Sequence, residues 1–271
     1  MPQLPILSRL NDAAKQKVQE LQKFADLTWN AVRFIFARPF YGSDIVAQMD
    51  SIGVGSLVIV LLTGFFTGMV LALQSASALK TFGATLYVGK LVTASMIREL
   101  GPVLAGLTVA GRVGSGIAAE IGSMKVTEQI DALNTMGTDP LKKLVTPRLI
   151  AAMIMLPVLT IIDDVVGICG GNVISALVVG IPSGVYWRTV WQQIASDGFV
   201  FRYVPEDFIQ GLTKPLLFGA IIALSGSYYG LSTTGGTEGV GQSTTRTVVA
   251  ASIGILVVDY FITQFLITVL P

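Results

Sequence analysis

The chain of 271 residues contains no histidine and a single cysteine, Cys169. Without histidine it lacks the commonest general base and the commonest metal ligand in proteins. One cysteine excludes an intrachain disulfide framework. No nucleophile paired with a base is evident either, so we expect no catalytic centre, no metal site and no cofactor bound by this chain.

Charged residues are also scarce, at 13% of the chain, whereas soluble domains carry roughly 25%. Hydrophobic residues make up 52%, and the mean hydropathy is +0.69. This composition predicts a protein that crosses a membrane several times. Its first ten residues lack the pattern of a cleaved signal peptide, so we expect insertion through its own spans. The net charge is only +1, and we expect no nucleic-acid partner.

Five apolar windows are long enough to cross the hydrocarbon core, which takes about 20 residues. They are residues 52–73, 100–122, 148–179, 211–229 and 247–270. The first window is interrupted by Gly64 and Gly68 and ends in polar residues, so it either crosses fully or returns as a re-entrant hairpin. We predict an all-α integral membrane protein, one domain over residues 1–271, with about five transmembrane helices.

Residues 7–38 carry apolar side chains at spacings of three and four, which predicts an amphipathic helix. Its basic residues and the aromatics near its end favour a position in the cytoplasmic interface. A soluble helix packed on a partner is the alternative.

The distribution of basic residues predicts the topology of the chain. With the N-terminus in the cytoplasm, five crossings leave basic residues on the cytoplasmic side in an excess of about two to one, as the positive-inside rule requires.

Nothing in the sequence matches an ATP-binding P-loop. The nearest text runs from Gly83 to Gly89, Lys90 and Leu91, with the wrong spacing and leucine in place of the hydroxyl that binds magnesium. If transport depends on ATP, we expect a partner subunit to bind ATP and Mg²⁺ and to carry out the hydrolysis.

Ionisable side chains inside membrane spans cost about 2.5–3.5 kcal/mol each and therefore indicate function. They are Arg98, Glu99, Arg112, Asp163, Asp164, Lys214 and Asp259. Adjacent residues of a helix point about 100° apart, so Arg98 and Glu99 are not simply each other's partner. Ion pairs that fix the bundle and a direct role in substrate binding both remain open. An ion-coupled secondary transporter or channel that uses Asp163, Asp164 and Asp259 is the alternative function.

A short amphipathic helix is predicted over residues 126–137, between two spans on the cytoplasmic side. Ile130 and Leu133 share one face of it, while Glu128 and Asp131 lie on others. Such a helix can couple a conformational change in a soluble partner to the membrane spans. An ordinary connecting helix is an equal alternative.

Small residues recur four positions apart within the predicted spans, which lets helix backbones approach closely. The pairs are Gly64 with Gly68, Gly106 with Ala110, Gly167 with Gly171, and Gly226 with Gly230. We interpret them as packing surfaces.

Several blocks of residues, in a fixed order, resemble the MlaE family of ABC transporter permeases, which work with MCE-domain proteins. They are residues 99–104 (ELGPVL), 111–115 (GRVGS), 119–124 (AEIGSM), 128–133 (EQIDAL), 139–141 (DPL) with 147–148 (PR), and 244–248 (TTRTV) with Asp259. The resemblance covers nearly the whole chain, and the number of linked blocks makes it specific.

The resemblance implies a homodimer in the inner membrane of a Gram-negative bacterium, in which each chain binds a cytoplasmic ATPase subunit. It further implies a periplasmic ring of MCE-domain subunits, a STAS-domain subunit, and movement of glycerophospholipids between the inner and outer membranes that supports outer-membrane lipid asymmetry. The family's polar pocket falls on Arg98, Glu99, Lys214 and Asp259, and its coupling helix on residues 120–137, including Glu128, Ile130, Asp131 and Leu133. Its acyl-chain cavity falls on Leu71, Gln74, Ala78, Leu79 and Phe82, where side-chain identities depart from the family pattern.

Overall fold

The computed structural model describes residues 5–35, 37, 41–196, 199–200 and 204–269, and side chains for 15, 18–35, 37, 41–195 and 209–268 of these. Phe36 and Arg38, at the end of the predicted interfacial helix, lie outside the described residues. The helices are α1 (Pro5–Ile35), α2 (Gly42–Lys80), α3 (Thr85–Val126), α4 (Gln129–Thr135), α5 (Leu141–Val179), α6 (Ser183–Ser196), α7 (Glu206–Leu231) and α8 (Gly236–Val269). An antiparallel pair of two-residue strands, β1 (Phe199–Val200) and β2 (Val204–Pro205), lies between α6 and α7.

Five of the helices are long and apolar enough to cross a membrane: α2, α3, α5, residues 209–231 of α7 and residues 236–268 of α8. The predicted all-α membrane fold with about five spans is therefore confirmed. The helix α2 has 39 residues, or roughly 58 Å at 1.5 Å per residue, which is well beyond the hydrocarbon thickness. The spans therefore continue past the apolar windows of the sequence.

The helix α3 begins at Thr85, fifteen residues before the window at 100–122. Its first turns carry Lys90, Thr93 and Ser95, which lower the hydropathy of this tract. Val88, Val92 and Met96 are nonetheless fully buried, in a cluster shared with α2, α5 and α6. A helix that is covered by protein on one side needs less apolar surface toward lipid, so hydropathy alone misplaces its start.

Two π-helical segments interrupt α3, and two more form the two ends of α5. Within α3 the order is a 3₁₀ turn Thr85–Tyr87, helix Val88–Ser95, π segment Met96–Leu100, helix Gly101–Val109, π segment Ala110–Gly114 and helix Ser115–Val126. Within α5 it is π segment Leu141–Val145, helix Thr146–Ile174 and π segment Ser175–Val179. Such bulges turn the following side chains to a new direction and are frequent at functional sites.

The helix α2 is continuous, so the re-entrant hairpin considered for residues 52–73 is wrong. Gly64 and Gly68 do not interrupt the helix. They lie where the backbones of α2 and α5 are in direct contact. A Cβ on Gly68 would overlap the carbonyl of Gly167, and one on Gly64 would come within 2.6 Å of the carbonyl oxygen of Asp163. The small residues here are packing surfaces, as predicted.

In the part of α1 whose side chains are described, the helix rests on the bundle through one face. Leu27 and Ala31 are buried in the main hydrophobic core, whereas Leu21 and Trp29 are exposed. The exposed apolar side chains suit a helix that lies in a membrane interface, which stays a prediction. The helix α6 resembles it, with Tyr186 buried and Trp191 exposed.

Candidate substrate site and coupling segment

The ammonium group of Lys214 is the centre of a charged cluster between α3, α7 and α8. Its Nζ lies 2.7 Å from Oε2 of Glu99 and 3.2 Å from Oδ1 of Asp259. It also donates a hydrogen bond of 2.8 Å to the backbone carbonyl of Arg98. The side chain of Lys214 is fully buried, so one cation is held by two carboxylates and a carbonyl away from water.

The sequence explains why the carbonyl of Arg98 accepts this bond from Lys214. In an α-helix it would receive the N–H of residue 102, but that residue is Pro102, which has none. The chain instead forms the π segment Met96–Leu100, closed by a bond from the Gly101 N–H to the Met96 carbonyl. Lys214 takes the place of the missing donor.

The cluster is open on one side, at Glu99. Its side chain is 41% exposed, compared with 18% for Asp259. Thr263 donates a hydrogen bond of 3.2 Å to Oε1 of Glu99. The side chains of Glu99, Lys214 and Asp259 therefore meet, Arg98 takes part through its backbone carbonyl, and the open side of the cluster is the Glu99 carboxylate.

The five residues predicted for an acyl-chain cavity lie on another helix. Leu71 and Leu79 on α2 are half-buried against the cluster of α2, α3, α5 and α6. Gln74 and Ala78 are exposed, and Phe82, just after α2, is 82% exposed. Within one chain, these residues thus form an apolar surface rather than a wall of the charged cluster.

Asp163 and Asp164 on α5 point toward different helices. A Cβ on Gly64 of α2 would come within 2.5 Å of Oδ1 of Asp163, and one on Gly101 of α3 would overlap Oδ1 of Asp164. Asp259 belongs to the Lys214 cluster. The three carboxylates of the alternative ion-coupled function therefore do not form one site.

The predicted coupling segment contains a short helix, α4. Its apolar face, which could have met a partner, packs on the permease instead. Ile130 is buried in the main core and Leu133 is half-buried against it, so this apolar face belongs to the permease itself. Glu128 and Asp131 are exposed, and Asp131 forms an ion pair of 3.0 Å with Lys125. A partner would meet the charged face.

Glu128 precedes α4 with a left-handed backbone, at φ 59° and ψ 13°. A non-glycine residue seldom adopts this conformation, and it makes the chain turn sharply between α3 and α4. The turn holds α4 against the end of the bundle.

A family model described as Permease MlaE matches residues 45–265, most of the chain. The chain belongs to the MlaE permease family. A probable ABC transporter permease of Rickettsia bellii is 42% identical over 262 residues, which cover 96% of this chain and 98% of the relative. The intermembrane phospholipid transport system permease protein MlaE of Haemophilus influenzae is 40% identical over 222 residues, covering 82% of each chain. A probable ABC transporter permease of Synechocystis is 43% identical over 215 residues, covering 79% of this chain and 78% of the relative.

Membership in the MlaE family makes this chain the membrane component of an ABC transporter, which is not itself a catalytic subunit. It favours the permease interpretation over the ion-coupled secondary transporter. The charged cluster and α4 both lie within the matched residues.

Three polar contacts of this permease were not predicted from the sequence. Thr263 follows Asp259 by four residues, so helical spacing was a usable signal for it. Arg112 donates hydrogen bonds to the Ser51 carbonyl (3.2 Å) and to Oγ of Ser56 (3.0 Å), in a space that Gly55 leaves open. No periodicity reveals such a contact between residues about 60 positions apart.

The third is an ion pair between Arg148, at the start of α5, and Glu120 in α3. Nη2 of Arg148 lies 2.7 Å from Oε1 of Glu120, and the arginine side chain is only 4% exposed. This pair joins the two spans on either side of α4.

Proposed function

We propose that this chain is the permease of an ABC transporter that moves glycerophospholipids between the inner and outer membranes and so maintains outer-membrane lipid asymmetry. The observation that carries the proposal is the half-open charged cluster within apolar spans. A phospholipid presents a charged headgroup and apolar chains, and the cluster presents charged groups, open at Glu99, beside exposed apolar helices. The likeness to a permease of an intermembrane phospholipid transport system supports this substrate class.

In the proposed assembly two copies of the chain form a homodimer whose clusters face a shared cavity. The half-buried Leu71 and Leu79 of α2 and the exposed Phe82 just after it would line the path of the acyl chains, together with the exposed Phe261 and Phe265 of α8. Arg98 and Lys214 provide positive charge for a phosphate, and Glu99 and Asp259 balance it.

The energy is supplied by a separate cytoplasmic ATPase subunit, which binds ATP and Mg²⁺. A periplasmic ring of MCE-domain subunits receives or delivers the lipid, and a STAS-domain subunit binds on the cytoplasmic side. The permease lies in the bacterial inner membrane with its N-terminus in the cytoplasm. The charged face of α4, with Glu128 and Asp131, contacts the ATPase.

Copurification tests the assembly. The tagged full chain is isolated from its native membranes, and accompanying proteins and lipids are identified by mass spectrometry. We expect an ATPase with a P-loop, an MCE-domain protein and glycerophospholipid. Isolation of the chain without any ATPase, or its transport of a solute under an ion gradient alone, would contradict the proposal.

Glu128→Lys tests the coupling face. Reversal of this exposed charge should lower lipid-stimulated ATP hydrolysis or weaken binding of the ATPase, because the side chain has no role in the core. The control is Glu238→Lys, the same change at another exposed position, at the start of α8. Both variants should insert at normal levels. If Glu128→Lys assembled and hydrolysed ATP like the parent, α4 would be an ordinary connector.

A further inference from the structure

The carboxyl groups of Asp163 and Asp164 lie in the middle of α5 and have no part in the Lys214 cluster. Asp163 is fully buried and Asp164 is 8% exposed. Both oxygens of Asp163 and Oδ1 of Asp164 are buried without a hydrogen-bond partner. Buried polar atoms are almost always hydrogen-bonded, so two neighbouring carboxyl groups with unbonded buried oxygens need an explanation.

Among the described side chains, no lysine or arginine forms an ion pair with either group. Lys214, the buried cation of the adjacent helix α7, is already held by Glu99, Asp259 and the Arg98 carbonyl. An ionised carboxylate without a counter-charge is very costly in an apolar interior, so such a group takes up a proton instead. Both side chains are therefore best described as neutral carboxylic acids.

The two acids differ in what surrounds them. Asp163 is enclosed where α2 packs on α5, against the backbone of Gly64. Asp164 lines a cavity of about 110 Å³ between α3, α5, α6 and α7. Ile97 and Ile168 in its wall are buried, while Ile161, Val165 and Leu212 are exposed on the membrane-facing surface.

The cavity is suited to a neutral acid and unsuited to a metal ion. Apart from Asp164 its lining side chains are isoleucine, valine and leucine, with Gly211, so a cation would find one carboxyl group where it needs several oxygen ligands. A volume near 110 Å³ is of the order that holds a small apolar molecule.

We propose that Asp164 is a proton-binding site within the membrane, a carboxylic acid at the base of an apolar pocket that small apolar molecules enter from the bilayer. The pocket adjoins the segment that carries Arg98 and Glu99, because the Asp164 carboxyl packs on the Cα of Gly101 directly after it. The site goes beyond the proposed lipid transport and does not depend on it.

The site can be probed with diisopropylcarbodiimide, which is small and apolar and reacts with protonated carboxyl groups. The acid oxygen adds to the central carbon of the carbodiimide and the proton passes to one of its nitrogens. In a pocket with little water the acyl group then migrates from oxygen to nitrogen. The product is a stable N-acylurea, an addition without leaving group or redox change.

The full chain, in vesicles, is treated with this reagent, and the adduct is located by peptide mass spectrometry. We expect modification of Asp164, loss of that adduct in Asp164→Asn, and its persistence in Asp163→Asn, the matched control whose carboxyl group is closed off. A charged, water-soluble carbodiimide should not label Asp164. Failure of the apolar reagent to modify Asp164, or equal modification of Asp163, would overturn the proposal.

Two further measurements keep the test decisive if Asp164→Asn does not fold. Val165→Phe keeps the carboxyl group and places a ring at the exposed side of the pocket, so labelling should fall while the fold persists. Infrared spectra of the parent and of Val165→Phe should both contain the band of an un-ionised carboxyl group. Unchanged labelling in Val165→Phe would contradict the assignment of the pocket as the route of entry. Absence of the infrared band would contradict the assignment of Asp164 as a protonated carboxyl group.

Discussion

At the scale of single residues, Lys214 determines the charge balance of the candidate site. One buried ammonium group stands between two carboxylates, so its removal leaves Glu99 and Asp259 facing each other without a cation. Removing one partner of a buried pair costs about 3–5 kcal/mol. The exposure of Glu99, 41%, lets water screen its charge and lowers that cost.

We therefore expect Lys214→Met to lower the stability of the purified permease, near the lower end of this range. Thermal unfolding in detergent, compared with the parent, measures the effect. The double variant Lys214→Met with Asp259→Asn should recover part of the loss, because one of the two unpaired charges is gone. An unchanged melting temperature in the single variant would show that the cluster contributes nothing to the fold, leaving substrate binding as its role.

Ion pairs within this set of residues are one of the two interpretations that the sequence supports, but it does not predict which groups pair. Charges are so unfavourable in hydrocarbon that Arg98, Glu99, Lys214 and Asp259 stood out as soon as the spans were placed. The bond to the Arg98 carbonyl depends on a π segment and on the missing N–H of Pro102, which change helix geometry locally. Such a change leaves no trace in hydropathy.

At the scale of helices, the close contact of α2 with α5 depends on glycine. A Cβ on Gly68 would overlap the carbonyl of Gly167, a backbone atom that cannot rotate away. We expect Gly68→Ala to force the two helices apart and to cost at least the roughly 1–3 kcal/mol typical of overpacking. The melting temperature and the yield of monodisperse protein should both fall.

The matched control is Gly116→Ala in α3, where an added Cβ meets nothing within 4 Å. Alanine in a helix is favoured over glycine by about 0.5–1 kcal/mol, so this variant should be as stable as the parent or more so. Equal behaviour of the two variants would mean that the α2–α5 contact tolerates a side chain.

The sequence predicts that the spans are α-helices and that there are about five of them. It does not predict where each helix begins and ends, or what each helix face packs against. The start of α3 was hidden because its polar turns are covered by α6 and α5. Ile130 of α4 looked available to a partner, yet it fills the core of its own chain. In both cases tertiary packing decided which surface a side chain meets, and a periodic pattern cannot distinguish its own core from a partner.

At the scale of the whole molecule, the number of crossings fixes on which side each segment lies. If all five candidate helices cross, the two ends of the chain lie on opposite sides, and from the positive-inside rule we expect the N-terminus in the cytoplasm. We then expect Lys80, at the end of α2, to face the periplasm and Thr135, at the end of α4, to face the cytoplasm. The amphipathic helix α6, with 14 residues, is too short to add a sixth crossing.

Cysteine labelling in spheroplasts measures this arrangement, starting from Cys169→Ser, which removes the only native thiol. A membrane-impermeant maleimide should modify Lys80→Cys and Thr268→Cys in intact spheroplasts, and Thr135→Cys only after lysis; all three positions are exposed. The reverse pattern would invert the orientation and place α4 out of reach of any cytoplasmic ATPase. Labelling of Lys80→Cys and Thr135→Cys from the same side would mean that α3, with its two π segments and its charged residues, does not cross the membrane.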